Sequence, residues 1–300
     1  MATRADYFRL HFIVFLWGFS GILGKLVTIP AYEMVFYRAI LAALGLAGVM
    51  VFLKVSFQVS GKQLVNLLLI GFIVGFHWLA FFEAARVSNV SVSLVGFATN
   101  SLWTAILEPL FNRSGIKKFE LLLGLIVIFG LYVIFSFDFQ YPLGLSLGVL
   151  AGFTSALFSI FNSRMVQTLP PLTISLYEMI GVFLSLGLFL PVYQMTWAPN
   201  HSLNLFPGAM DWTYIIILAA ACSVYAYSAA IELMKKVSVF LIQLTLNLEP
   251  VYGIIMAVIV FKSAEKMGLN FYLGTLIILS AVLFYPYLKR KHDRRIVINS

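Results

Sequence analysis

Charge is scarce in this chain. Only 11% of its 300 residues are Asp, Glu, Lys or Arg, and 61% are hydrophobic. An average soluble domain carries about 25% charged residues, so the composition argues against a soluble fold. A single cysteine, Cys222, sits in an apolar run, which excludes an intramolecular disulfide framework. Long polar connections are missing too. The longest, 194–211, carries Pro199, Asn200, Pro207 and Gly208 and is too short for a water-soluble domain, so function must reside among the apolar segments. Enzyme signatures are absent: there is no H-E-x-x-H, no G-x-S-x-G and no pair of membrane-embedded aspartates. His11, His77, His201 and His292 are scattered, and neither a metal nor a cofactor is expected. Gly24-Lys25 does not complete a phosphate loop, because Phe19 stands at the first glycine position and Leu26 at the Ser/Thr position. The first apolar run continues without a small-residue cleavage site and reads as a retained helix rather than a removed leader.

What the chain has instead is ten long apolar stretches, at 8–26, 32–53, 63–85, 88–111, 119–136, 142–163, 171–193, 212–234, 237–261 and 269–288. Each approaches the roughly 20 residues that a bilayer-spanning helix needs. The fold expected is an all-α membrane protein of ten transmembrane helices.

The placement of charge gives an orientation. Net charge is +8, from 20 basic and 12 acidic residues. With both termini on one side, that side collects fifteen basic residues, among them Arg4, Arg9, Lys117, Lys118, Lys235 and Lys236. The other side holds Lys25, Arg86, Lys262 and Lys266, while Arg38 lies within a helix. This bias is the positive-inside pattern. It predicts a multi-pass protein of the cell (inner) membrane with cytoplasmic N- and C-termini. The basic tail, 289–300, then reads as a cytoplasmic topology anchor that meets anionic lipid, and nucleic acid is not an expected partner.

Three local echoes divide the stretches into two sets. Gly18-Phe19-Ser20 returns as Gly152-Phe153-Thr154, Tyr37-Arg38 as Tyr177-Glu178, and Val90-Ser91-Val92-Ser93-Leu94 as Val237-Ser238-Val239-Phe240-Leu241. They recur in the same order, at slowly drifting offsets. Five spans is an odd number, so the second set is inverted relative to the first. The units expected are 8–136 and 142–288, two inverted five-helix repeats. In this register Leu102-Trp103 stands opposite Glu249-Pro250, so the ninth-helix break at Glu249-Pro250 is expected to lack a counterpart. Glu108-Pro109 looks like a copy but lies near the end of its helix, whereas Glu249 is central.

These features resemble the EamA-type transporters of the drug/metabolite transporter superfamily. The resemblance rests on the two inverted five-helix units, the Arg of the second helix, the run V-S-V-F-L-I-Q-L-T-L-N-L-E-P-V-Y-G from Val237 to Gly253, and the Gly-centred last helix from Tyr272. It implies movement of small organic metabolites, often outward, through a cavity lined by helices one, three, four, six, eight and nine.

Ionisable groups within the hydrocarbon are costly and usually face the interior. Glu249 alone among the acids is central. It can bind a cationic or zwitterionic substrate or take up a proton; the alternative is a kink residue hydrogen-bonded to a neighbour, next to the helix-breaking Pro250. Arg38 and Glu178 occupy matched places in inverted helices, about 10 Å in from opposite sides at ~1.5 Å per residue. They are candidates for gating or coupling together with Pro250, or for structural salt bridges. His77 is a midplane imidazole, set against a packing role. Asn100, Thr154, Ser155, Tyr225 and Asn247 lie at similar depth and either line the cavity or bond between helices. Trp17, Trp78, Trp103 and Tyr225 offer aromatic walls.

The expectation is a secondary transporter moving a small organic metabolite, an amino acid or similar compound, by alternating access and in the export direction. Alternatives are a nucleotide-sugar or nucleobase-type exchanger or a drug exporter; a channel or an intramembrane enzyme is the reading from another class. Expected partners are the solute, membrane lipid and, as a coupling ion, protons, with the chain acting as a monomer or weak dimer.

Overall fold

The computed structural model describes residues 2–135, 140–204, 206–249, 252–253, 256 and 268–299, and among them there is no strand. Thirteen α-helices have both bounds among the described residues. They are α1 Arg4–Gly18, α2 Ser20–Leu26, α3 Ala31–Leu53, α4 Gly61–Val87, α5 Val90–Phe97, α6 Asn100–Asn112, α7 Lys118–Phe135, α8 Pro142–Met165, α9 Pro171–Thr196, α10 Ala209–Ile217, α11 Ser228–Leu233, α12 Val239–Leu246 and α13 Leu269–Asn299. A π-helical stretch, Leu218–Tyr227, joins α10 to α11. Eight helical segments among the described residues are long and apolar enough to cross a membrane: Arg4–Leu26, Ala31–Phe52, Gly61–Val87, Val90–Asn112, Pro142–Met165, Pro171–Thr196, Ala209–Leu233 and Tyr272–His292. The chain is a multi-pass membrane protein. The fifth expected stretch corresponds to helix α7, which is not among those eight, and the ninth begins as the short helix α12; Pro250 and most of the ninth stretch beyond it lie outside the described residues.

Helix starts follow local chemistry. Thr3 and Asp6 form a capping box on α1, and Ser60 and Gln63 form one on α4, each satisfying first-turn N–H groups. Asn89 caps α5 through Val92 N at 2.8 Å, and Ser238 caps α12 through Leu241 N at 3.3 Å.

These two capped helices are alike in another way: each is eight residues long and then stops inside the bundle. α5 ends at Phe97 and α6 resumes at Asn100 without a proline at the join. The expectation that the ninth-helix break stands alone is therefore corrected, because the fourth span is interrupted as well. Proline is one way to interrupt a helix; here Ala98 and Thr99 turn the chain instead.

Glycines let other helices approach both interruptions. A Cβ on Gly152 would sit 2.6 Å from Thr99 Oγ1 and 2.9 Å from the Phe97 carbonyl oxygen; on Gly18 it would sit 3.0 Å from Tyr252 Cβ and 3.3 Å from the Glu249 carbonyl oxygen. The echoed glycines thus press the opening helix of each half against the interrupted helix of the other half. Gly96 and Gly148 meet in the same region, where a Cβ on Gly96 would come within 2.9 Å of Gly148 Cα, the close approach that small residues permit in membranes.

Polar ties close both ends. At the end holding the chain's beginning, Lys236 Nζ lies 2.8 Å from Asp6 Oδ1 and Arg9 lies 2.7 Å from Glu232. At the far end, Thr28 donates from N and Oγ1 to Asp211 at 2.7 and 2.6 Å, and Arg86 donates to the carbonyls of Gly24 and Val27.

Candidate solute cavity

A central cavity of about 60 Å³ lies among α1 to α5, α8, the π-helical stretch, α11, α12 and Glu249. Its wall includes Arg38 of α3 in addition to the helices the family resemblance implied, so the second span contributes too.

Arg38 is 2% exposed. Its guanidinium carbon sits 3.8 Å over the Trp78 ring centroid and its Nε donates to Ser223 Oγ at 2.8 Å. No carboxylate pairs with it among the described residues, although burying an unpaired cation is costly. Glu249 is 3% exposed and lines the same cavity. It makes no hydrogen bond or ion pair among the described residues, so the kink-residue alternative, which required a hydrogen-bonded neighbour, does not describe it. A buried cation and a buried carboxyl thus share one cavity without neutralising each other, an arrangement suited to a ligand carrying both charges.

His77 contacts the Ala151 carbonyl through Nδ1 at 2.8 Å. A carbonyl only accepts, so Nδ1 carries the proton and Nε2 remains as an acceptor. The ring lies among Phe97, Phe158 and Phe81, at 5.6, 5.3 and 6.3 Å between centroids. Trp17 also lines the cavity, its Nε1 donating to the Cys222 carbonyl at 3.1 Å. Thr154 bonds back to the Leu150 and Ala151 carbonyls, while Ser155 is on the cavity wall.

Other expected residues stand elsewhere. Tyr225 is 42% exposed and packs edge-on against Phe12, away from the cavity. The tyrosine on the wall is Tyr227. The cause is the π-helical stretch: its i→i+5 register puts Cys222 and Tyr227 on one face, where ordinary α-helical spacing would bring up Tyr225. Trp103 packs against Phe153 at 5.2 Å and does not line the cavity. Asn100 and Asn247 are fully buried at the two helix interruptions, where Asn247 Nδ2 donates to Ser101 Oγ at 2.9 Å. Asn247 thus ties the two interruptions together, the Asn100 side-chain amide has no hydrogen-bond partner among the described residues, and neither lines the cavity. Glu178 is fully buried behind the wall and accepts from Tyr227 Oη at 2.7 Å and Asn162 Nδ2 at 3.3 Å. No ion pair joins it to Arg38 among the described residues.

Depth along the sequence does not single out Asn162, Ser159, Tyr227 or Gln243, which the structure places on or beside the cavity wall. Gln243 donates to Ser159 Oγ at 2.6 Å and to the Ser155 carbonyl at 3.2 Å. Ser155, Ser159 and Asn162 recur at i, i+4 and i+7, a polar stripe along one helix face that was available in the sequence.

Comparison with known proteins gives the class as membrane transporters. The EamA-like transporter family matches residues 9–136 and 142–285, and the chain belongs to that family, within the drug/metabolite transporter superfamily. It is similar to an uncharacterized transporter of Synechocystis sp., with 24% identity over 233 residues, or 71% of this chain and 63% of the relative. The chain thus spans less than two-thirds of that relative's length. A solved crystal structure aligns with a TM-score of 0.70 at 12% identity, covering 94% of this chain and 96% of that one, a likeness of fold alone.

Proposed function

We propose that this membrane transporter is a secondary carrier of a small zwitterionic metabolite, of the amino-acid class, exporting it across the cytoplasmic membrane by alternating access. The observation that carries this reading is the pair of buried, mutually unpaired charges in one aromatic-walled cavity: Arg38 takes the carboxylate of the solute, Glu249 takes its ammonium, and the Nε2 of His77 accepts a further hydrogen bond. Trp17, Trp78 and the phenylalanines around His77 shield its apolar part.

The unit of motion in this reading is the two inverted five-helix repeats, 8–136 and 142–288, ten spans in all, with 289–300 and the N-terminus in the cytoplasm. The separate family matches on each half and the reciprocal packing of Gly18 and Gly152 on the interrupted helices support it. A cavity of about 60 Å³ holds a few waters, whereas organic ligands occupy roughly 300–1,000 Å³. Binding therefore requires the walls to part, as rocking of one half against the other provides. The ties Asp6–Lys236 and Thr28–Asp211 serve as opposite gates. The outward direction rests on the family resemblance, and Glu249 is the group that would carry a coupled proton.

Arg38 in the wall also favours an anionic solute such as a nucleotide sugar, but Glu249 in the same cavity opposes a doubly negative one. Counterflow in proteoliposomes separates these readings: unlabelled amino acids inside should drive uptake of labelled ones, and nucleotide sugars should not. Counterflow by nucleotide sugars alone, or none with amino acids, would contradict the assignment.

A further inference from the structure

A second cavity, of about 750 Å³, opens on the flank of the bundle between α3, α4 and α9 and shares no lining residue with the central one. One face of α4 supplies Phe72, Phe76, Leu79, Glu83 and Arg86 in succession toward the end closed by Thr28 and Asp211, a run of roughly 21 Å at 1.5 Å per residue. The groove is thus apolar at depth and charged at its mouth. Phe72 and Phe76 are 47% and 44% exposed, with Phe189 of α9 beside Phe72 at 6.5 Å between ring centroids. Such a face on a membrane-spanning bundle is turned to acyl chains.

The mouth carries unmet polar groups. Tyr193 is 7% exposed and stacks on Tyr32 at 4.0 Å, yet its hydroxyl has no hydrogen-bond partner among the described residues. Arg86 spends its Nη2 on two carbonyls while its Nε is unpartnered. Glu83, exposed on the same wall, makes no ion pair among the described residues. Unsatisfied buried donors are rare and call for an explanation. On the groove lining one carboxylate, Glu83, stands beside two unpartnered donors, with Glu33 and Asp211 behind them near Arg86, and a headgroup bearing both a primary ammonium and a phosphate ester complements that lining.

We propose that this groove holds one amine-bearing phospholipid of the phosphatidylethanolamine type. Its ammonium meets Glu83, its phosphate oxygens accept from Tyr193 Oη and Arg86, and an acyl chain lies over Phe72 and Phe76. A quaternary choline headgroup has no N–H to donate to Glu83, and an anionic glycerol headgroup sets its charge against the carboxylate.

Native mass spectrometry of the full chain, released from nanodiscs holding equal amounts of ethanolamine, choline and glycerol phospholipids, tests this. One ethanolamine lipid should be retained at least about fivefold over the choline lipid, a difference of roughly 1 kcal/mol. Glu83→Gln should erase that preference, and Tyr193→Phe should lower retention of every class. The proposal is overturned by no retained lipid, by a preference for the anionic lipid, by an unchanged preference in Glu83→Gln, by a dimer that covers the groove, or by displacement of the lipid by transported amino acids. A second measurement leaves the proposed headgroup partners Glu83, Arg86 and Tyr193 unchanged. Ethanolamine lipid brominated high on its chain should quench Trp197, which also lines the groove, as judged against Trp197→Phe; equal quenching by choline lipid contradicts the proposal.

Discussion

The guanidinium carbon of Arg38 lies over the Trp78 ring, 3.8 Å from its centroid, and the Nε donates to Ser223 at 2.8 Å. The stacking holds the charge in the cavity without a carboxylate partner. Desolvated cation–π contacts contribute about 2 kcal/mol, and a lysine reproduces neither the planar stack nor the fork of donors. Arg38→Lys should therefore lower counterflow of an amino acid roughly tenfold, the equivalent of about 1.4 kcal/mol, while leaving the helical content measured by circular dichroism unchanged. Full transport by Arg38→Lys would show that the fork does not hold the solute.

Glu249 is buried with no partner among the described residues, so it adds no cohesion to the fold. Glu249→Gln should remove at least about 90% of counterflow while leaving thermal unfolding equal to, or higher than, that of the parent, since a buried unpaired charge is costly. A lower unfolding temperature with transport intact would assign it a structural role instead.

Two neighbouring tyrosines should behave differently. Tyr227→Phe takes away the hydroxyl that donates to Glu178, and leaving a buried acceptor short costs about 1–3 kcal/mol. Tyr225→Phe changes an exposed ring and should stay within about 0.5 kcal/mol. Thermal unfolding in detergent of both variants checks the assignment made by the π-helical register.

Gly152 presses on the interruption between α5 and α6. Gly152→Val should destabilise by about 1–3 kcal/mol through overpacking, and Thr99→Ala should rescue it only in part, because the Phe97 carbonyl also lies within 2.9 Å of the added Cβ. Gly48, with nothing within 4 Å, is the control: Gly48→Ala should be neutral.

Hydropathy made the spans readable, because apolar length is set by the bilayer and needs no tertiary information. Depth along each helix was equally readable, and it selected Arg38, His77 and Glu249. What depth does not give is azimuth. Tyr225 and Tyr227 lie at nearly the same level, and only the local widening to i→i+5 decides which faces the cavity; no residue type announces that widening. The interruption at Ala98-Thr99 was hidden for a similar reason. A proline is legible as a breaker, whereas a turn held open by Gly152 from the other half is a tertiary effect. Asn100 and Asn247 have the depth of cavity residues, yet both are buried at the interruptions and neither lines the cavity.

Cys222 gives the most direct test of alternating access, because it is the chain's only cysteine and lines the central cavity. Its labelling by a membrane-impermeant maleimide should be measured in right-side-out and inside-out vesicles. Alternating access predicts labelling from both sides, with Asp211→Asn, which weakens the tie to Thr28, speeding labelling from that side and slowing it from the other. Labelling from one side only, or equal acceleration from both sides in Asp211→Asn, would contradict a carrier that exposes this cavity to each side in turn.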